Sequence, residues 1–559
     1  GDKVRYVGDA VAIVAADTAE IAAAALELID VDYEELPAVT DAIAALEDDA
    51  PLVHDDNATG NLLKHIKVRK GDVAAGFGDA EIIIDQTYRT PTTEHLFLEP
   101  ECSIGVPAGY DPADFDGDSE PLAVRGETAR HDKTTIYVGS QIPYSDREQA
   151  AAALGKDPGD VRVVATLMGG GFGGKEDITG QVHAALLAEA CQRPVKMLYS
   201  RQESLLVHPK RHATVIRIRT GARSDGKLTA VQAMLHGDGG AYASLSEKVM
   251  TRATTHASGP YDVPNVKVDC FATYTNNVPS GAFRGFGVTQ SCFAVESNMD
   301  LLAAELGIDP VKLRRMNALE VGSTTSTGQV LRESAGLAEC IDKVDAAMRG
   351  ADFQWTWDEG HRRFAWGTAV AYKNTGLGGG APDKAEAVVE AWRDSARGLV
   401  AEVRISSAEM GQGLPGVLAA CAAEELGTAI DNVSVLLGDT DFCPDGGPTT
   451  ASRQTFVSGN AVRFAAREAL ERLNSEPGEK VHVSYTYEAP QTQPLGTGGD
   501  MHVAFSYCAQ AALCEIDMRT GEVGVHKIIA AHDVGRAINP LTLQGQIEGG
   551  IVMGVGQAL

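Results

Sequence analysis

The sequence lacks the paired cysteine spacing C-x-x-C. Its nine cysteines stand alone at 102, 191, 270, 292, 340, 421, 443, 508 and 514. Ligand sets for structural zinc or iron–sulfur clusters are therefore missing. An odd, scattered set suits buried thiols in a reducing cytoplasm. No apolar run approaches the roughly 18–20 residues of a membrane span, and no signal peptide opens the chain. Basic residues are scarce: 48 Lys and Arg against 77 Asp and Glu give a formal net charge of −29. Neutralising phosphates needs a basic surface, so nucleic acid is excluded as a partner. The acidic residues are spread along the chain and read as a solvated surface. No short repeat or low-complexity tract is present. The first residue is Gly1, not Met, and a longer natural chain is expected.

What is present is ordinary globular composition at unusual length. With 44% hydrophobic and 22% charged residues over 559 positions, one core is too few, and three or four domains are expected. Residues 1–102 read as a small α/β unit. "AVAIVAAD" (10–17) is expected as a buried strand, Asp17 with Glu20 as a capping box, "TAEIAAAALELI" as a helix and "DVDYEELP" (30–37) as a returning strand. "EIIIDQTYRT" (81–90) is another expected strand. The Pro-, Gly- and Asp-rich segment inside 103–132 reads as a loop or boundary. A second α/β region spans 103–348, "RGADFQWTWDEGHRR" (349–363) a connection, and 349–559 a third region with a loop at "NSEPGEK" (474–480).

One layout recurs, a glycine-rich turn leading into an apolar helical stretch. "MGGGFGGKED" (168–177) follows the strand pattern "DVRVVATLM" and precedes "DITGQVHAALLAEAC". From Gly169 to Lys175 it matches the G-x-x-x-x-G-K phosphate loop, but Glu176 stands where a magnesium-binding Ser or Thr belongs. A carboxylate there would repel a triphosphate. The other turns are "SGAFRGFGVTQ" (280–290), "AEMGQGLPG" (408–416), "GGPTTASRQ" (446–454) and "GQIEGGIVMGVGQ" (545–557). Singly, each is explained by glycine's freedom to turn. Together, flanked by Gln, Arg, Thr and Ser, they suggest one large polyanionic ligand held by backbone N–H groups and small donors.

Taken in order, "GGGFGGKE", "AFRGFG", "EMGQGL" and "AHDVGRAINP…GQIEGG" resemble the molybdenum-binding part of the xanthine dehydrogenase and aldehyde oxidase family. The resemblance covers nearly the whole chain. It implies an α+β, mixed α/β fold: a hammerhead domain over 1–102, a first molybdopterin-binding domain over 103–348 and a second, C-terminally incomplete, over 349–559. It implies that Phe172 and Gly173, beside Gly171, lie against the molybdenum and that Gln141, in "GSQIP", approaches the metal's oxo or sulfido ligands. Arg284, Thr450 and Ala451 are implied as pterin contacts, with Gln412 and Gln546 as further ones. The expected cofactor is molybdopterin, in its cytosine dinucleotide form, with a labile sulfur or selenium ligand on molybdenum. Iron–sulfur and FAD groups are expected on partner subunits or missing segments, in a higher oligomer in the cytoplasm.

On the substrate side, Glu176 matches the carboxylate that faces purine in this family, and Arg252, in "MTRATTHASGPY", the guanidinium opposite it. An acceptor on one wall and a fork of donors on the other suit a purine's N–H and C=O edges. The alternative is a Glu–Arg pair that supports the fold. Phe286 resembles an aromatic that packs on the substrate ring. "KNTGLGGG" (373–380) occupies the place of a second aromatic. The bacterial selenium-dependent xanthine dehydrogenase branch is the most similar, and no copper-binding Cys loop of the carbon monoxide branch is found. The implied reaction is purine hydroxylation with water as oxygen source. Another N-heterocycle, an aldehyde, or a non-catalytic scaffold are the rival readings. The family's base follows in a G-x-G-E segment placed beyond Leu559, with Glu548 a poor substitute, so these residues alone are expected not to turn over purine.

Overall fold

A computed structural model describes residues 3–111, 131–350, 352–475 and 480–559. Thr214–Ala222 and Leu228–Gly240 alternate buried with more exposed side chains and pair antiparallel. Asn265–Tyr274 lies parallel to the second of these, which requires a crossover, and the helix Ser246–Thr255 lies in that connection and packs on the sheet. Leu62–Lys70 and Ile82–Thr90 complete the five strands at the two edges. The helix Val288–Leu306 covers one face, beginning after Gly287 and ending at Gly307, both with positive φ.

Two smaller α/β layers stand beside this sheet. One orders Val161–Ala165, Thr134–Val138, Cys102–Val106 and Val195–Leu198, covered by the helices Pro143–Leu154 and Gln181–Cys191. The other orders Val433–Leu437, Gly398–Ile405, Lys384–Asp394 and Lys480–Glu488, covered by Leu414–Leu426 and Gly459–Ser475. They meet edge to edge. Ala165 N–H donates to the Gly438 carbonyl at 2.8 Å, and Arg162 donates to both carboxylate oxygens of Asp439 at 3.0 and 2.6 Å.

The fourth sheet orders Thr356–Glu359, Arg362–Thr375, Ala504–Asp517 and Val523–Asp533. Its Val370, Tyr372, Tyr507 and Ala509 share one core with Ile216, Leu235 and Val268 of the five-stranded sheet. The helix between them carries Glu296, which binds Arg314 Nε at 2.7 Å, Tyr261 Oη at 2.6 Å and the Val370 N–H at 2.9 Å. Thus neither 102 nor 348 divides one core from another: strands 62–70 and 82–90 belong to the sheet of 214–274, and the fourth sheet packs on that same core.

Local expectations fare unevenly. The strand at 81–90, the strand before the first glycine turn and the helix after it all form. "AVAIVAAD" and "DVDYEELP" do not form strands. A strand must satisfy its backbone groups against a neighbour, and no ladder reaches these segments; Val11, Val31 and Tyr33 remain exposed. The first helix is capped by Thr18, whose Oγ1 accepts from Ile21 N–H at 3.3 Å, not by Asp17, which pairs with Arg193 at 2.8 Å. Residues 349–363 are not a plain connection, because Thr356–Glu359 pairs back on Arg362–Ala365 as a hairpin. The glycines of 545–557 lie inside the helix Pro540–Ala558, started by an Asn539 cap and Pro540, not in a turn before one. Much of the loops expected at 103–132 and 474–480 lies outside the described residues, although Cys102–Val106 is a strand. The nine cysteines form no disulfide, but only 270, 340 and 443 are buried and Cys191 is exposed. Among the described residues no helix is long and apolar enough to cross a membrane.

Arg314 is 1% exposed. Arg314→Met leaves the Glu296 carboxylate buried without its countercharge, a change that costs about 3–5 kcal/mol. A urea titration followed by tryptophan fluorescence is expected to show the corresponding fall in midpoint; a midpoint within error of wild type contradicts this account of the core.

Candidate active site

A cavity of about 2270 Å³ opens where the layers converge. Its walls are the glycine-rich turns and the loops 373–381 and 533–539. Ordinary small-molecule sites occupy about 300–1,000 Å³, so this one has room for an unusually large ligand and a second, smaller one.

Gln141 holds two walls together. Its Oε1 accepts from Gly173 N–H at 3.0 Å, and its Nε2 donates to the Thr449 carbonyl at 2.7 Å and to Glu176 at 3.3 Å. Its own N–H donates to the Lys175 carbonyl and its carbonyl accepts from Thr449 N–H, both at 2.9 Å. The side chain is 2% exposed. Both amide N–H groups are thus engaged within the protein, and the residue fastens the loop 169–176 to the loop 446–453 instead of offering a free donor. Gly171, expected at the ligand, does not line the cavity. A side chain there would come within 2.6 Å of Gln141 Oε1 and 3.0 Å of Met410 Sδ, so its role is to let Gln141 in.

Phe172 and Gly173 do line the cavity. Phe172 has φ 54° and its carbonyl accepts from Arg284 N–H at 2.7 Å. Seven described non-glycine residues have positive φ, and four of them, Phe172, Phe286, Ala451 and Ser452, line this one cavity. Each such residue stores about 1–3 kcal/mol, which a fold tolerates where a site requires it. Behind these loops His208 holds the Gly174 carbonyl at 2.7 Å and His95 the Ala282 carbonyl at 2.8 Å.

Arg284 reaches across to the last helix, where its Nη2 donates to the Gln546 carbonyl at 2.6 Å and its guanidinium lies 3.5 Å from where a Gly550 Cβ would stand. Gly549 and Gly550 of that helix lie in van der Waals contact with the guanidinium. Gln412 and Gln546 both line the cavity. The Gln412 amide, however, is tied into its own loop, accepting from Met410 N–H at 2.7 Å and donating to the Ala408 carbonyl at 2.9 Å. The sequence reading missed Glu409, whose carboxylate accepts from the N–H groups of Gly411, Gly413 and Leu414 at 2.6, 3.1 and 2.6 Å. At this turn the anion-binding groups expected for a ligand already hold a protein carboxylate. It also missed Arg453, fully buried, which donates to Asp383 and the Gly446 and Pro448 carbonyls at 2.6, 2.7 and 3.1 Å. It thereby fixes the loop that presents Thr450 and Ala451, both on the cavity wall.

Glu176, Arg252 and Phe286 all line the cavity. Among the described residues no ion pair joins Glu176 to Arg252, so the two do not serve as a structural salt bridge. Burial pushes the Glu176 carboxyl up to about 8, against hydrogen bonds from Thr450 and Gln141 that hold it down. A half-buried carboxyl raised this far can keep its proton near neutral pH, and it then donates as well as accepts. Arg252 donates through Nη2 to the Leu377 carbonyl, and burial presses it down to about 10. Lys373, Thr375, Ser506 and Gln510 also face the cavity from two paired strands; period-two alternation along 362–375 was the signal for the first two. Glu548 is not on the wall; Gln544 Nε2 donates to it at 2.8 Å.

Residues 1–37 match the a/b hammerhead domain of aldehyde oxidase and xanthine dehydrogenase. Residues 119–318, and 339–486 with 475–559, match two molybdopterin cofactor-binding domains. A probable xanthine dehydrogenase subunit of Bacillus subtilis is 32% identical, over all of this chain and 75% of its own length. The nicotinate dehydrogenase large molybdopterin subunit of Eubacterium barkeri is 43% identical over 61% of this chain and 75% of its own length. Among solved structures, the aldehyde oxidoreductase of Desulfovibrio desulfuricans superposes with a TM-score of 0.87 at 27% identity. That match covers 99% of this chain and 60% of the other.

Two outcomes are expected from this geometry. Gln141→Ala strands the Gly173 N–H and the Thr449 carbonyl in a buried joint, at a cost of about 1–3 kcal/mol each, and is expected to lower the unfolding midpoint in urea; an unchanged midpoint contradicts the joint. Glu176 retains a proton in the folded state that the unfolded chain releases above about 4.5. Its contribution to stability therefore falls as pH rises from about 4.5 to about 8. Glu176→Gln, which cannot ionise, is expected to gain stability relative to wild type across that window in the cofactor-free chain, as read by denaturant midpoints at stepped pH. A constant difference would show an ordinary, solvated carboxyl.

Proposed function

The chain belongs to the xanthine dehydrogenase and aldehyde oxidase family, and from that premise we propose that it is the molybdenum-binding subunit of a hydroxylase acting on an electron-poor nitrogen heterocycle, a purine of the xanthine or hypoxanthine type first among them. The observation that carries the reading is Glu176, a half-buried carboxyl with a raised pKa on the same cavity wall as Arg252, with no ion pair between them among the described residues to give the two a purely structural use.

The cavity fits the cofactor. Its volume exceeds any simple substrate, Phe172 and Gly173 with Arg284 and Gln546 line one part, and Thr450, Ala451 and Gln412 line another. Molybdopterin is the cofactor this family holds; the cytosine dinucleotide form and a sulfur or selenium ligand belong to the present reading. What the cofactor supplies when bound is Lewis acidity toward water and a two-electron sink. In overall balance a ring C–H and a water give a ring C–OH, two protons and two electrons, and the electrons leave to iron–sulfur and FAD partners.

The chain's own residues bind and orient the ring. Glu176, carrying its proton, donates to a ring nitrogen or accepts from a ring N–H. Arg252, half turned to Leu377, presents its remaining donors to a ring oxygen, where negative charge grows as the nucleophile adds. Phe286 packs on the ring face. A six-membered heterocycle is a second reading, favoured by the 43% identity to a nicotinate dehydrogenase subunit. An aldehyde has no ring nitrogen for Glu176 to serve.

Arg252→Met in the complete enzyme is expected to lower kcat/KM for hypoxanthine by roughly 10–100-fold, the worth of a charge-assisted hydrogen bond of about 1.5–3 kcal/mol, and to leave a small aldehyde within a few-fold. Equal losses on both substrates overturn the assignment. Binding of a purine analogue that survives Glu176→Ala unchanged argues for the scaffold alternative.

A further inference from the structure

The stretch "KNTGLGGG" stands where the family resemblance led us to expect an aromatic. Lys373 opens it, at the end of the strand Arg362–Thr375, and faces the cavity beside Thr375, Ser506 and Gln510. Four glycines follow with positive φ, 376, 378, 379 and 380. The turn is rigid. Gly376 N–H donates to the Ala451 carbonyl at 3.0 Å, Gly379 N–H to the Met501 carbonyl at 2.8 Å, and Gly380 N–H to Thr492 Oγ1 at 3.0 Å. None of the four carries a side chain, and Gly378 and Gly379 form bare wall of the cavity that Lys373 also lines.

Arg252 borders the same space; a Cβ on Gly379 would stand 4.0 Å from its Nη1. Lys373 Nζ donates to Asn374 Oδ1 at 2.7 Å and Arg252 to the Leu377 carbonyl, both neutral acceptors. Among the described residues neither cation has a carboxylate partner. Arg252 acts on Lys373, and both cations act on His256 after the helix Ser246–Thr255 and on His502 before the strand Ala504–Asp517. Burial and the Arg252 charge press the Lys373 amine down to about 7, and burial with these cations holds both imidazoles neutral. At that value Lys373 is only partly charged beside Arg252, and a carboxylate that reaches both draws the proton back onto the amine. A neutral ring edge supplies partial charge to one of them; a carboxylate supplies a full charge and two oxygens that both can share.

We infer that Lys373, with Arg252, forms a carboxylate subsite in the substrate end of the cavity, so that the preferred substrate is a nitrogen heterocycle carrying a carboxylate substituent. This rests on the heterocycle hydroxylase reading above and puts a carboxylated ring ahead of the plain purine as its first substrate.

The test uses the complete enzyme and two near-isosteric probes, pyrazine-2-carboxylate and pyrazine-2-carboxamide, with dissociation constants measured by calorimetry and hypoxanthine turnover recorded on the same preparation. The wild type is expected to bind the carboxylate at least tenfold more tightly than the carboxamide. K373M is expected to bring the two constants together, and K373R to keep them apart. Equal or reversed binding in the wild type, or a preference that persists in K373M, overturns the subsite. If hypoxanthine is turned over in those cases, the heterocycle reading stands without it; if no heterocycle is either bound or turned over, the reading beneath fails as well.

Discussion

A single buried amide, that of Gln141, joins the two walls on which the rest of the site depends, because it hydrogen-bonds the glycine loop at Gly173 and the facing loop at Thr449 in the same plane. Those loops come from different layers, and each alone is a turn with backbone groups to satisfy. The joint gives them a fixed separation, and the separation is the cavity. Other contacts follow the same logic: Arg284 ties the loop after 280 to the last helix, Arg453 ties its own loop to Asp383, and Gly171 is bare because Gln141 needs the space. In this site a glycine that looks like part of a ligand cradle can be a clearance for a protein side chain.

The electrostatics of the cavity are lopsided in a way that composition conceals. A chain with a net charge of −29 encloses a wall where, among the described residues, Arg252 and Lys373 pair with no carboxylate, and desolvation raises the pKa of its Glu176. The acidic surplus stays in water, where it costs little. Inside, the site keeps positive charge and neutral donors, which is the environment that stabilises an anionic ring or an anionic substituent.

The motifs placed the site more accurately than the local elements placed the fold. Phe172, Gly173, Glu176, Arg252, Arg284, Phe286, Gln412, Thr450, Ala451 and Gln546 all converge on one cavity, although they are drawn from widely separated stretches of chain. Short apolar runs were less informative: "AVAIVAAD" has a strand's composition and no strand's neighbour, and "QWTWDEGHRR" hides a hairpin because its turn residues read as a linker. Strand formation is decided by a partner that is distant in sequence, and composition carries no record of it.

The sequence by itself determined the family, the mixed α/β class and the set of residues that meet at the site, because each glycine turn with its flanking polar residues has a local physical signature. Only the tertiary structure decided what those residues do when they meet. It made Gln141 a joint between layers as well as part of the cavity wall, tied the Gln412 amide into its own loop, filled one anion-binding turn with Glu409, and ran one core across the expected boundaries at 102 and 348. It also left Lys373 beside Arg252 without a countercharge. These outcomes depend on which groups exclude water from one another, and that is a property of packing between segments far apart in the chain, not of any segment alone.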